Sequence, residues 1–312
     1  MSFKLLKSTL VIGFMTTISR IFGLIRDIVI GSVFGPGLGV DVFIVSFRIP
    51  NFLRRLFAEG GFSQAFVPVL SEYKEQRNEE DVQKLIDQTS ATLGLILFVI
   101  SIIGVLASPI LIMIFAPGFL GDTDKNSLAI DLLRITFPYI FFISLTAFAG
   151  SILNTYRNFA IPAFTPELLN LSLIISAIWL APFFETPIEA LAWAVFIAGF
   201  IQLVFQAPFL LKIKKFPRPS LNSDRSGVKR ILKLMLPILF AVSIVQINLL
   251  IDTLIASFLA TGSISWLYFS DRLVEFPLGV FGIALATAVL PHLSEKHAQG
   301  SSEKFSNTLD WS

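Results

Sequence analysis

Cysteine is missing from all 312 residues. That excludes disulfide frameworks, thiolate nucleophiles and thiolate metal sites together. Histidine is nearly missing: His292 and His297 are the only two, both near the C-terminal end. No zinc spacing, Ser/His/Asp set, Walker loop or paired-carboxylate cluster can be assembled, so the chain reads as something other than an enzyme. Charge is sparse as well. Asp, Glu, Lys and Arg make up 15% of the chain, against about 25% in a soluble domain. Polar stretches long enough to form a soluble domain are absent too. What fills the sequence instead is hydrocarbon: 54% of residues are hydrophobic and Phe alone occurs 32 times. Apolar runs of about 17–25 residues recur, each able to cross a hydrocarbon layer of roughly 30 Å. The fold class is therefore an all-α polytopic membrane protein. The formal charge of +2 identifies no partner beyond membrane lipids, and nothing here calls for a nucleic acid.

Lys4 and Lys7 followed by TLVIGFMTTIS imitate a secretory signal, but the run meets Arg20 without a small-x-small cleavage site and continues. It reads as a retained first span. The expected spans are 8–34, 40–72, 85–115, 127–153, 160–182, 187–211, 230–260 and 264–294. The second is too long for one straight crossing at about 1.5 Å per residue, and Pro50 and the Gly60–Gly61 pair offer places to kink it. Basic residues alternate between loops. Lys4, Lys7, Lys74, Arg77, Lys84, Arg157, the Lys212–Arg230 stretch, Lys296 and Lys304 fall on one side, and the opposite loops carry Lys125 alone. This asymmetry predicts a cytoplasmic N-terminus.

The chain also repeats itself. FVPVLSEYKEQ at 66–76 returns as VLPHLSEKHAQ at 289–299, and RDIVIGSVFG at 26–35 aligns with IDTLIASFLA at 251–260. Spans 7 and 8 thus copy spans 1 and 2 in the same direction, a parallel repeat of the kind found in transporters. The expected organisation is a complete N-lobe of six spans (1–215), a cytoplasmic linker (216–229) and the first two helices of a C-lobe (230–312). A second set of six would need four helices more than the sequence holds, so a fragment of a longer plan is expected.

Ionisable residues inside the spans are costly and mark cavities or pathways. Arg20, Arg26 and Asp27 lie on span 1; Asp41, Arg48, Arg54, Arg55 and Glu59 on span 2; Asp252 on span 7; Asp271, Arg272 and Glu275 on span 8. At about 100° per residue, Asp41, Arg48, Arg55 and Glu59 share one stripe of span 2 and Arg54 falls off it. The deep basic residues are all arginine, whose planar fork suits phosphate or carboxylate. Two readings stand: six arginines pairing with six acids to hold helices together, or a cavity that binds an anion. Asp252 has no basic neighbour in its span. It is open to being a neutral hydrogen-bonded carboxyl or one ligand of a cation. Gly31 and Gly35 form a G-x-x-x-G, a weak signal for close helix contact.

Several long stretches carry a resemblance. SRIFGLIRD (19–27), RIPNFLRRLFAEGGFSQAFVPVLSEYK (48–74), APGF (116–119), TFPYIFFISL (136–145), ILNTYRNFAIPAF (152–164) and ASFLATGSISWLYFSDRLVEFPLGVFGIAL (256–285) resemble the MurJ (MviN) family of lipid II flippases. That family belongs to the multidrug/oligosaccharidyl-lipid/polysaccharide exporter superfamily, whose two-lobed fold has parallel six-helix repeats. The resemblance implies translocation of undecaprenyl-diphosphate-linked peptidoglycan precursor between leaflets of the bacterial inner membrane. It also implies substrate-binding roles for Arg20, Arg26, Arg54, Arg55 and Arg272. Asp41, Glu59 and Arg48 would set cavity charge and gating, and Asp252 would ligate sodium. No cofactor is expected, with sodium or the membrane potential as candidate driving forces and cell-wall or division proteins as candidate partners. The alternatives are an exporter of another polyprenyl-linked glycan, or a membrane scaffold in which the arginines only make ion pairs.

Overall fold

The computed structural model describes residues 3–55, 61–220 and 226–274. Every regular element among them is helical. The chain forms two compact units, residues 1–266 and 267–312. The first unit contains α1 (Phe3–Phe34), α2 (Leu38–Arg54), α3 (Ser63–Gln76), α4 (Glu79–Leu106), α5 (Ser108–Phe115), α6 (Thr123–Thr136) and α7 (Tyr139–Thr155). It continues through α8 (Ala160–Phe164), α9 (Glu167–Ile175), α10 (Glu189–Lys212) and α11 (Ser226–Ala256). A further helix opens at residue 263. In the second unit, residues 267–274 are helical, and the rest of the expected eighth span lies outside the described residues.

Two helix starts have a clear local cause. Asn78 accepts the amide of Asp81 at 2.8 Å, and Glu79, Glu80 and Asp81 fill the first turn of α4, a polar side-chain cap with acids at the positive end of the helix. Asp122 caps α6 the same way through the amide of Lys125. Four helical stretches, Glu79–Leu106, Thr123–Thr155, Ala160–Phe183 and Glu189–Lys212, are long and apolar enough to cross a membrane. With more than thirty residues each, α1 and α11 also exceed that length. Within the expected second span the described residues form α2 and α3. α2 continues through Pro50 to Arg54, and residues 55 and 61–62 take a wider π geometry.

Small residues and hydroxyls bring the helices together, as expected where lipid offers no drive for association. Ser46 Oγ donates to the Ala129 carbonyl and Thr136 Oγ1 returns a bond to the Ser46 carbonyl, joining α2 to α6. Ser172 and Ser176 donate to the carbonyls of Ala194 and Ala190 on α10. Gly118 is required by backbone contact: a Cβ there would sit 2.1 Å from the Ser257 carbonyl oxygen. By contrast, Gly35 ends α1 with φ +67 and has open space around it, so the G-x-x-x-G supplies a helix terminus there and not a close packing point.

Candidate functional site

Two of the arginines meet on one polar pocket. A cavity of about 370 Å³ is lined by Arg26 from α1, Arg54 from α2, Asn170 from α9 and Gln202 and Gln206 from α10. Arg26 is buried and held by two bonds to Asp27 Oδ1, from Nε at 2.8 Å and Nη2 at 2.6 Å. Its Nη1 donates to Asn170 Oδ1 at 3.0 Å, and Asn170 Nδ2 donates to Glu167 Oε2 at 3.2 Å. Arg54 donates Nε to Asn51 Oδ1 at 2.8 Å. On the far wall, Thr165 organises the amides: Gln202 Nε2 donates to its carbonyl and Gln206 Nε2 to its hydroxyl. Tyr139 Oη closes the chain onto Gln202 Oε1 at 3.4 Å. Such a network, inside low dielectric, fixes rotamers and orients dipoles toward the enclosed space. Two guanidinium groups, Arg26 already charge-paired with Asp27, border a pocket of amides and hydroxyls whose N–H and O–H donors suit an oxyanion.

Span 2 is divided in a way its helical stripe did not foretell. Arg54, the residue off the stripe, is the one that lines the pocket. Arg48 donates to Thr253 Oγ1 on α11. Asp41 is 1% exposed and serves the opposite end of the bundle. Its Oδ2 accepts the Gly262 amide at 2.6 Å, and its Oδ1 accepts the amide of Ser265 at 2.8 Å and the hydroxyl of Ser265 at 2.5 Å. The carboxylate therefore caps the helix that opens at residue 263, a placement favoured by both orphan amides and dipole. Lys125 Nζ lies 3.8 Å from Asp41 Oδ2 and 4.4 Å from the centroid of the Phe119 ring, nearly fully buried. Thus Lys125, the one basic residue expected on that side, is turned inward, toward an acid.

Arg20 is half-buried on α1 and Arg55 half-buried at the π turn. Arg272 and Asp271 belong to the second unit, where the Arg272 guanidinium lies 5.4 Å from the centroid of the Tyr268 ring. Glu59, Glu275, His292 and His297 lie outside the described residues. Asp252 is exposed on α11. No group of three His, Cys, Asp or Glu side chains able to hold a metal gathers among the described residues. Sequence reasoning missed Glu167, Asn170, Gln202 and Gln206. In the sequence they show only as one acid and three amides in spans 5 and 6, the glutamines one helical turn apart; in the structure all four are nearly excluded from solvent.

This assembly of helices has the fold seen in solved membrane transporters. A multidrug transporter of the MATE family in an inward-facing conformation shares the fold, with TM-score 0.68 and 15% identity over 93% of this chain and 65% of that one. The family is narrower. The model described as "Lipid II flippase MurJ" matches residues 30–312, and the chain belongs to that family. A probable lipid II flippase MurJ of Vibrio cholerae is 50% identical, covering 99% of this chain and 60% of that protein. The lipid II flippase MurJ of Burkholderia cenocepacia is 44% identical over the same shares. A solved structure of lipid II flippase MurJ in an inward closed conformation superposes with TM-score 0.76 and 30% identity, covering 93% of this chain and 59% of that one. The chain thus spans about three fifths of the length of these curated relatives.

Proposed function

We propose that the protein takes part in moving a polyprenyl-diphosphate-linked peptidoglycan precursor, lipid II, from the inner to the outer leaflet of the bacterial cytoplasmic membrane. The observation that carries this reading is the convergence of Arg26 and Arg54, from different helices, on one pocket of fixed amides and hydroxyls. A diphosphate cannot cross hydrocarbon of roughly 30 Å unaided, because an unpaired buried charge costs many kcal/mol. Guanidinium groups replace the water around the phosphates, while the prenyl tail stays in the bilayer. Family resemblance extends the same role to Arg20, Arg55 and Arg272, and a charge-setting role to Arg48 and Glu59.

The alternation of basic loops supports a cytoplasmic N-terminus, which makes the Asp41 end the outer one. The Asp41 clasp then seals the outer end while the precursor enters from inside, and its release admits the headgroup to the outer leaflet, an alternating-access cycle. Residues 1–215 are assigned to the N-lobe, 216–229 to the linker and 230–312 to the start of the C-lobe. Sodium or the membrane potential is proposed to drive the cycle, and cell-wall or division proteins to be its partners. The test is export of precursor in cells that depend on the intact gene product. Arg26→Ala and Arg54→Ala are each expected to abolish it while insertion and abundance persist. Normal export in both variants would favour the scaffold reading.

A further inference from the structure

A second cavity lies away from the arginines, and its chemistry is the reverse. It encloses about 770 Å³ between α4, α7 and α10, under a roof formed by Phe216, Pro217 and Pro219. Ser90 is the sole polar side chain in its lining, and the Ser90 hydroxyl is spent on the Asp87 carbonyl of its own helix at 2.9 Å. Nothing in the walls offers a hydrogen bond to an occupant, so the occupant is hydrocarbon. The hollow is cut by small residues: Ala91 and Gly94 on α4, Ala149 on α7 and Ala207 on α10. Along α4 it runs from Ser90 to Phe98, about 12 Å of helix rise. Half-exposed Leu95, Phe98 and Val204 mark its open side as the lipid-facing flank of the bundle.

The roof is fastened, not loose. Asp87 Oδ1 accepts the Arg218 amide at 2.8 Å, the Asp87 carbonyl accepts the Ser220 amide at 3.3 Å, and Gln83 Nε2 donates to the Phe216 carbonyl at 3.0 Å. The segment that forms this closed end is basic. In sequence Arg218 falls between the two roof prolines, and Lys212 and Lys214 between the lining residues Leu210 and Phe216. All three are exposed. Lys215, their neighbour, is already engaged with Glu79, and Asp87 is the nearby acid whose oxygen the roof amide and Gln83 occupy. A hydrocarbon slot whose roof segment carries three exposed cations, at the end of a membrane span, matches one kind of molecule: a lipid with an anionic headgroup.

We propose that this groove binds one acyl chain of an anionic glycerophospholipid whose phosphate meets Lys212, Lys214 and Arg218. The proposal needs the protein only to sit in a bilayer and stands apart from the transport reading. It is tested by native mass spectrometry of the full chain released from detergent with phosphatidylglycerol or phosphatidylcholine of identical acyl chains. The unaltered protein is expected to retain one phosphatidylglycerol more tightly than phosphatidylcholine. Gly94→Leu fills the slot, since a Cβ at Gly94 meets no atom within 4 Å, and is expected to lose the retained molecule. Ala207→Leu, from the opposite wall, repeats the test should Gly94→Leu fold poorly. Replacing Lys212, Lys214 and Arg218 by Gln is expected to weaken phosphatidylglycerol by about fivefold per charge and to leave phosphatidylcholine unchanged. Equal retention of the two lipids by the unaltered protein, or undiminished phosphatidylglycerol in both groove variants, would overturn the proposal. One-for-one displacement of phosphatidylglycerol by undecaprenyl phosphate would overturn it too, making the groove a site for a prenyl tail.

Discussion

The two ends of the first unit are closed by different physics. At one end, Asp41 is 1% exposed, accepts three hydrogen bonds from Gly262 and Ser265, and has buried Lys125 beside it. At the other, α11 meets α3 through Arg230 and Glu72, a two-pronged pair at 2.8 Å for each bond, with both side chains exposed. Hydrogen bonds to a buried charge are worth about 1.5–3 kcal/mol each, whereas exposed pairs are weakened by water and salt. The first end behaves as a lock and the second as a contact that solvent can open. A transporter that exposes its pocket to one side at a time needs such an inequality in each resting state.

That contrast can be broken or sharpened by substitution. The largest effect is expected from Asp41→Ala, which strands the amides of Gly262 and Ser265 and leaves Lys125 without its acid. A loss of about 3–5 kcal/mol should appear as a lower melting temperature. Because the chain has no cysteine, Ile264→Cys, at a buried position beside the clasp, can report opening directly. It should resist maleimide in the parent and react once Asp41 is gone; equal reactivity would mean that Asp41 does not hold this end. Lys125→Met should cost less than Asp41→Ala, since Lys125 lies 3.8 Å from the carboxylate and the three hydrogen bonds to Asp41 remain. A loss matching that of Asp41→Ala would shift the weight of the lock to the ion pair.

At the solvent-exposed end, Glu72→Gln and Arg230→Gln should leave the melting temperature unchanged in high salt. A clear drop there would abolish the asymmetry. The smallest effect concerns Tyr156, in the loop after α7. Burial, with a further push from Glu79, raises its phenol from 10.0 to about 12. The folded protein therefore keeps this proton where the unfolded chain has lost it. The associated stability is present below pH 10 and disappears as pH rises toward 12. Tyr156→Phe should flatten that alkaline decline, read by thermal melting across the window, and an unchanged slope would remove Tyr156 as its source.

Much of the architecture was legible because hydrocarbon spans are long and repetitive. α1, α4, α10 and α11 fall where apolar runs predict them, and the membrane class follows from composition alone. Breaks inside spans were harder. Pro50, an expected kink, lies in continuous helix, while α4 and α5 separate at Ala107 and α8 and α9 at Thr165–Pro166. The site was legible by charge and hidden by geometry. A regular 100° stripe put Asp41 with Arg48 and set Arg54 aside, yet Asp41 acts at one end, Arg48 reaches Thr253, and Arg54 joins Arg26. The uncharged members Asn170, Gln202 and Gln206 carried too little signal against an apolar background. Only their burial and their bonds, Asn170 to Arg26 and the two glutamines to Thr165, reveal that they are part of the pocket wall.

The most direct measurement is binding of undecaprenyl diphosphate to the purified full chain, compared with undecaprenol, in the parent and in Arg26→Gln, Arg54→Gln and the double variant. The diphosphate should bind far more tightly than the alcohol in the parent, and each substitution should erase about tenfold or more of that preference, one charge-assisted contact being worth at least about 1.4 kcal/mol. A preference for the diphosphate that survives intact in the double variant would contradict the assignment of these guanidinium groups to the substrate.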